Sequence, residues 1–410
     1  MDVNHKDLII VGGGAAGFYA GIHYSQSNPN CSVLILEQSP SFLSKVKVSG
    51  GGRCNVTNYT LDPKDLVKNY PRGHKELLGP FYTYGPLDVI SFFGNHGVPL
   101  KEEDNGRMFP VSNSSASIVN LFMELAQKQG VELSPSTSVQ SISKYEDYWK
   151  IGTNKKEYSA KNILIASGSS KAIWKKLSAL GIPIVESVPS LFTFKVDPHP
   201  MGALSGLSSE VEISIQTSGK KSISSRGPLL ITHQGFSGPA VLECSAWGAR
   251  SLADLNYQFE MSINWLADMS QQQVLERLME LKSNSGTKTM LNINEFNFPK
   301  RLWEYLVLSA GIQKGQQWAQ LSKIQLVNLA NQLNDTRIQI SGKSTFKEEF
   351  VSAGGVDLSS VNFKTMESKI HSGLYFAGEV LNIDAITGGY NFQNAWTTSY
   401  IASSALSIGK

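Results

Sequence analysis

"DLIIVGGGAAGFYAGIHYSQ", Asp7–Gln26, decides the fold. Leu8–Val11 reads as a short apolar strand, the glycines as a turn, and the rest as a helix whose small residues Ala15, Ala16, Gly17 and Ala20 permit close packing on a sheet. Gly12, Gly14 and Gly17 satisfy G-x-G-x-x-G. In such a turn the first glycine allows the bend and the second lets the backbone approach a pyrophosphate. The third lets helix and strand touch, and the helix N-terminus then faces the phosphates. A second apolar strand, "SVLILE", ends at Glu37, 20 residues past Gly17, where an acidic side chain meets adenosine ribose hydroxyls. An acid with no arginine close behind it favours FAD or NAD over NADP.

At 410 residues the chain exceeds the size at which one core stops growing, so two or three domains are expected. With 41% apolar and 17% charged residues it has a globular composition. A formal charge of +3, with no basic block longer than a lysine pair, leaves no electrostatic footprint for nucleic acid. Cys31, Cys54 and Cys244 are too few and too scattered for a disulfide framework or a zinc site, so no metal is expected and a reducing compartment fits. No signal-peptide pattern opens the chain, and no run approaches the about 18 apolar residues of a membrane span. A cytoplasmic protein without a membrane partner is the expectation, in which case the N-x-S/T triplets are chance matches.

Past Glu37 lies "SGGGRCNVTN", Ser49–Asn58, with three glycines, an arginine and a lone cysteine. Between about Val131 and Ser167 short alternating runs predict a β-meander leading into a buried strand, which ends in the small residues Ala166, Ser167 and Gly168. From Pro189 to about Leu266, strand-like pieces rich in Ser, Gly and Thr predict a separate β unit. Residues 270–334 switch to helical spacing before "TRIQISG" returns to a strand. The segment "GLYFAGEVLNIDAITGGYNFQNAW", Gly373–Trp396, reads as a buried strand, a Gly-Glu turn, a loop with an acid at Asp384, then Gly388-Gly389 opening a helix. That helix N-terminus is a second anion site in the same chain.

These blocks, with "GRMFP" (Gly106–Pro110), "THQGFSGPAVL" (Thr232–Leu242), "SAGGV" (Ser352–Val356) and "TMESK" (Thr365–Lys369), resemble those of a bacterial flavoprotein family. It is the aminoacetone oxidase family, or BaiN-like FAD-binding enzymes, and the resemblance spans nearly the whole chain. It implies an α/β fold: a doubly wound, Rossmann-like FAD domain of the glutathione-reductase kind, with an inserted β-barrel-like domain and a small helical domain. The expected boundaries are 1–189 and 349–410 for the FAD domain, 190–266 and 336–348 for the β-barrel-like domain, and 267–335 for the helical one.

Carried over by motif, Gly12, Gly14, Ala15, Ala16 and Gly17 cradle the pyrophosphate, and Glu37, with Gln38 beside it, meets the adenosine ribose. Ser49, Gly50, Gly51, Gly52, Arg53, Cys54 and Asn55 lie along the ribityl chain and flavin edge, with Lys45 preceding them. Val139 sits beside the adenine, and Ala166, Ser167 and Gly168 near the dinucleotide. Gly378 and Glu379 meet ribityl or phosphate groups, and Gly388, Gly389 and Asn391 bring the helix N-terminus to the flavin pyrimidine. The chain departs from the family's pattern at Leu43-Ser44-Lys45, where Gly-Arg-Lys is usual, and in "SGSSKAIWKKLSALG". It departs again at Asn382 and Ala385, where Asp and Gly are common.

The expected function is that of an oxidoreductase with non-covalent FAD acting on a small molecule, its electrons passing to dioxygen or coming from NAD(P)H. The alternative is a flavin-containing redox sensor without turnover. No second glycine fingerprint lies between a strand and a helix, so NAD(P)H is expected only as a transient visitor. Cys54 lacks the neighbouring cysteine of a redox pair, and reads as a small packing residue. His233, Tyr390 and Asn391 are candidates for the substrate side; no residue stands out as the catalytic acid or base.

Overall fold

The computed structural model of the protein describes residues 4–217, 222–344 and 351–408. Its central feature is a set of five parallel strands in the order Leu374–Phe376, Glu157–Ile165, His5–Val11, Val33–Leu36 and Glu132–Ser134. Leu8 pairs with Val33 and Ile10 with Ile35 on one side, and Ile9 with Ile163 on the other. Leu8, Ile9, Ile10, Leu34, Ile35, Ile163 and Leu164 are wholly buried, as befits parallel strands covered on both faces. Each such side chain contributes about 1.5–3 kcal/mol by leaving water. The expected meander is present as Val139–Lys144, Trp149–Thr153 and Glu157–Ile165, and its last strand joins the parallel set.

Two helices matter most to the site. The first, Ala15–Ser27, follows the first strand; the C-terminal helix, Tyr390–Ile408, packs against it. Small residues make close approach possible, and Ser399 Oγ donates to Ala16 O at 2.9 Å. A small antiparallel sheet of Thr57–Asn58, Arg107–Pro110 and Leu100–Glu103 carries the chain away from the glycine-rich loop.

The chain divides into two compact units. One combines residues up to Pro189 with the C-terminal segment, and the other begins at Ser190. The return crossing, expected at 348/349, lies outside the described residues. In the second unit seven strands run in the order Thr336–Ile340, Phe259–Asn264, Ser208–Gln216, Ser222–Thr232, Gly235–Ser237, Thr193–Lys195 and Gly342–Ser344. The outermost two are separated in sequence by Ser341 alone, yet stand at opposite ends of that order. The sheet must therefore curl until its edges approach, which is what makes it barrel-like.

The helices Gln271–Asn284, Lys300–Ser309 and Lys323–Asn334 lie between the strands Phe259–Asn264 and Thr336–Ile340. Two of them open with a serine capping box, Ser270 with Gln273 and Ser322 with Gln325. Their Leu278, Leu302, Trp303, Leu306 and Leu329 share one buried cluster with Ile213, Ile231 and Met261 of the sheet.

Candidate functional site

The site is built around the turn that the first strand delivers. Gly12 has a φ of 116°, and a Cβ there would stand 2.4 Å from Ala166 O. Only glycine fits where the first strand's end crosses the end of Glu157–Ile165. A Cβ on Gly17 would lie 2.0 Å from Gly12 O, so the helix touches the turn. Gly14 is the opposite case: a Cβ there would meet nothing within 4 Å. It caps a helix that has no side-chain cap and no acid in its first turn. The first amides of this helix, with the positive end of the dipole behind them, thus start beside open space at Gly14, an arrangement that could hold an anion.

Glu37 stands at the end of the second strand, half-buried, with much of its acceptor capacity in use. Gly13 N donates to Oε2 at 2.8 Å, while Ser39 N and Ser39 Oγ donate to Oε1 at 2.8 and 2.7 Å. The carboxylate thus clamps the glycine turn to the strand beside it, and Oε2 retains acceptor capacity for a hydroxyl. Gly13, absent from the sequence expectation, is part of this clamp; its signal was the middle glycine of "GGG". Gln38 is exposed. Val139 begins the meander after Thr137, whose N donates to Glu37 O at 2.7 Å.

The Ser49–Asn55 loop is a run of unusual backbone. Ser49 is extended, and Gly50, Gly51 and Gly52 are left-handed at φ 56°, 67° and 83°. Cβ atoms on Gly51 and Gly52 would meet nothing within 4 Å, so the loop presents bare backbone. Arg53, expected along the flavin edge, and Lys45, which precedes that loop, are each engaged by acids. Lys45 Nζ lies 2.8 Å from Glu379 Oε2, and Arg53 Nη1 lies 3.0 Å from both oxygens of Glu103. The Arg53 guanidinium also covers the Phe109 ring at 4.0 Å. Cys54 is fully buried, and that burial pushes its thiol up to about 12, against the pull of a hydrogen bond with Ser49. A thiol so placed stays protonated at neutral pH, which removes it as a redox nucleophile.

Asn55 joins this loop to the C-terminal segment. With its amide oriented to satisfy its neighbours, its oxygen accepts from Gly389 N at 3.0 Å and its nitrogen donates to Thr57 O at 3.0 Å. Asn58 Nδ2 donates to Gly388 O at 3.0 Å, and Trp396 Nε1 to Val56 O at 2.8 Å. A Cβ on Gly389 would fall 2.3 Å from Thr57 O. Asn391, expected at the cofactor, uses both ends of its amide on the Ala385 peptide, at 3.0 and 3.1 Å. Arg72 forks onto the wholly buried Asp384, Nε to Oδ1 and Nη2 to Oδ2, fixing the loop that leads to the helix.

The Gly378–Glu379 turn presses on the same region from the sheet side. A Cβ on Gly378 would lie 2.9 Å from the Ala16 Cβ, and one on Gly168 would lie 3.4 Å from Glu379 Oε2. Ser167 Oγ is buried there with no hydrogen-bond partner among the described residues. The open cradle at Gly14, the bare backbone at Gly51 and Gly52 and this orphaned hydroxyl fit a dinucleotide laid across the ends of the parallel strands. Tyr390 opens the C-terminal helix, whereas His233 belongs to the other unit.

The family described as HI0933-like protein Rossmann domain matches residues 6–405. The chain belongs to this family. The HI0933-like chain is 28% identical to a ribosomal RNA dihydrouridine synthase of Haemophilus influenzae, across 99% of both chains. It is also 28% identical to a 3-dehydro-bile acid delta(4,6)-reductase of Clostridium scindens, across 97% of this chain and 98% of that one. Its fold is similar to the open conformation of a flavocytochrome c3 fumarate reductase, at TM-score 0.52 and 13% identity over 99% of this chain and 78% of the other. This HI0933-like protein is an FAD-dependent oxidoreductase. Among its described residues no helix is long and apolar enough to cross a membrane.

Proposed function

We propose that this protein reduces a carbon–carbon double bond conjugated to a carbonyl, using non-covalent FAD recharged by NAD(P)H. The observation that carries this reading is the equal similarity, over nearly the full chain, to two relatives whose names describe one chemistry. Making dihydrouridine saturates the C5–C6 bond of uracil, which is conjugated to the C4 carbonyl. A delta(4,6)-reductase of a 3-dehydro-bile acid acts on double bonds in conjugation with a 3-oxo group. In uracil the hydride goes to the β-carbon and a proton to the α-carbon; in the dienone the hydride goes to the β- or the vinylogous δ-carbon, and in both cases negative charge gathers on the carbonyl oxygen before the proton is added.

When bound, FAD supplies the two-electron acceptor and hydride donor. The chain's own part is to hold and polarise. The amides of Ala15, Ala16 and Gly17 bind pyrophosphate, Glu37 receives a ribose hydroxyl, and Gly51 and Gly52 let the main chain lie against the ligand. The N-terminus of the Tyr390–Ile408 helix favours negative charge at the reacting end. Burial of the Cys54 thiol supports non-covalent attachment, because a protonated, enclosed sulfur is a poor nucleophile. A transient nicotinamide donor agrees with the single glycine fingerprint.

The expectation of a small-molecule substrate agrees with the bile-acid name, while the ribosomal RNA name brings a base within RNA into the same chemistry. The test is anaerobic: FAD-loaded protein is bleached with NADPH or NADH, then mixed with a uridine-containing ribosomal RNA transcript or a conjugated 3-oxo steroid. Return of the visible flavin absorbance, with a saturated product in stoichiometric yield, is the expected result. Reoxidation by dioxygen alone, with every conjugated acceptor left intact, would refute the proposal and favour an oxidase.

A further inference from the structure

The inserted unit contains a cleft that none of the chemistry above uses. It encloses about 400 Å³ where three strand ends meet. One wall is Lys195, at the end of Thr193–Lys195; a second is Lys343 of Gly342–Ser344; the third is the two-residue turn His233–Gln234.

This cleft is held by backbone rather than by chance side-chain contact. Gly235, just past the turn, has a φ of 149°, and a Cβ there would lie 2.0 Å from Phe194 O, so the hairpin lies flat on the neighbouring strand. Val196 N donates to Gln234 O at 2.9 Å, and Ser341 N to Lys195 O at 2.9 Å. His199 Nε2 lies 3.2 Å from Thr232 O, supporting the turn from beneath. Strand pairing sets Gly235 and Gly342 on either side of Lys195, so neither neighbour has a side chain to fill the space around it.

The charge inventory is cationic. Lys343 enters no ion pair among the described residues; its ammonium lies 4.6 Å from the Tyr257 ring centroid, and burial lowers its pKa. An ammonium partly stripped of water and lacking a carboxylate is a strong attractor for an anion. Lys195 Nζ is 4.0 Å from Asp197 Oδ2, a weak contact between two exposed groups that leaves the lysine able to turn inward. Gln234 and His233 add further hydrogen-bonding groups to the lining. Two lysines against one carboxylate, with amide and imidazole donors between them, suit a singly charged phosphodiester. Contacts of this type position a polynucleotide without reading its sequence. A nicotinamide dinucleotide is the weaker match, because the cleft has no glycine turn at a helix N-terminus to receive a pyrophosphate.

We propose that this cleft binds a backbone phosphate of an RNA substrate. The inference rests on the reading above, in which a uracil ring is one of the conjugated systems the enzyme reduces.

The test uses the full-length, FAD-loaded protein and a short fluorescein-labelled single-stranded RNA containing uridine, followed by fluorescence anisotropy across a salt series. The double variant Lys195→Gln/Lys343→Gln should bind this RNA roughly tenfold more weakly at low salt. It should also lose about 0.7 from the slope of log K against log salt for each phosphate contact removed. FAD retention and NADPH-driven bleaching should stay at the wild-type level. A second variant, His233→Glu, sets a carboxylate on the exposed turn and should weaken RNA binding without touching either lysine.

Wild-type affinity in both variants would overturn the proposal. So would loss of NADPH-driven bleaching with RNA binding intact, which would assign the phosphate to the dinucleotide. If wild-type protein binds no RNA yet is reoxidised by a conjugated steroid, the cleft proposal falls and double-bond reduction stands. If no conjugated compound reoxidises it, the functional reading itself falls.

Discussion

The two helices that open behind glycines reach similar ends by different means. The Ala15–Ser27 helix is aimed by local backbone sterics: Gly17 touches Gly12 O within a stretch of six residues, and Gly12 passes under Ala166 O of the neighbouring strand end. The Tyr390–Ile408 helix is aimed by residues gathered from across the chain. Asn55, Val56, Thr57 and Asn58 hold it from one side and the Arg72–Asp384 fork fixes its approach, while Asn391 braces the Ala385 peptide. A helix N-terminus positioned by a motif is cheap to encode and rigid. One assembled from distant side chains depends on every partner being in place.

The sharpest way to break the assembled side is Asp384→Ala. It leaves Arg72 enclosed without its carboxylate and should cost about 3–5 kcal/mol of stability, measured by denaturant unfolding. Arg72→Met/Asp384→Leu should recover much of that loss. If Asp384→Ala unfolds like wild type, the fork is not what fixes the helix.

A smaller effect should appear where the two helices meet. His23 lies on the first helix with its ring 5.2 Å from that of Tyr400 on the other, and burial, followed by the nearby His96, lowers its pKa from 6.5 to about 4. The folded state therefore holds this histidine neutral where the unfolded chain protonates it. Its contribution is fully present above pH 6.5 and is lost as pH falls toward about 4, by up to about 3 kcal/mol. His23→Leu should flatten that slope, read from unfolding at a series of pH values; an unchanged slope would place the titration elsewhere.

The smallest change concerns the motif side alone. Gly14 has φ −91° and open space at its Cβ position, so Gly14→Ala should leave stability unchanged. It should weaken FAD binding tenfold or more, about 1.4 kcal/mol, because the added methyl enters the ligand's space. Unaltered FAD affinity, measured by flavin fluorescence quenching, would move the pyrophosphate away from this turn.

This contrast also explains what could be read in advance. The parallel core, the glycine turn and the position of Glu37 follow from periodicity and spacing over a few residues, and they stand in the structure where the sequence places them. That Glu37 clamps Gly13 and Ser39 could not be read, since the clamp exists only once strand and turn lie side by side. Lys45, Arg53 and Asn391 looked like ligand contacts by their place in motifs. In the structure they contact Glu379, Glu103 and Ala385, and no local pattern in the sequence announces those partners. The curl of the inserted sheet was likewise beyond local reading, because it follows from which strands are neighbours.

The strand Leu374–Phe376 completes the parallel sheet against Glu157–Ile165, and the C-terminal helix closes over the first. The ribosome therefore releases the glycine turn of the first strand long before the segment that braces it. During synthesis the nascent chain carries the glycine turn but not the helix that packs against it, while the inserted unit is made in between. Completion of the proposed FAD site is thus expected only at the end of translation, and a chain stalled before Tyr390 would emerge with one of its two helix N-termini.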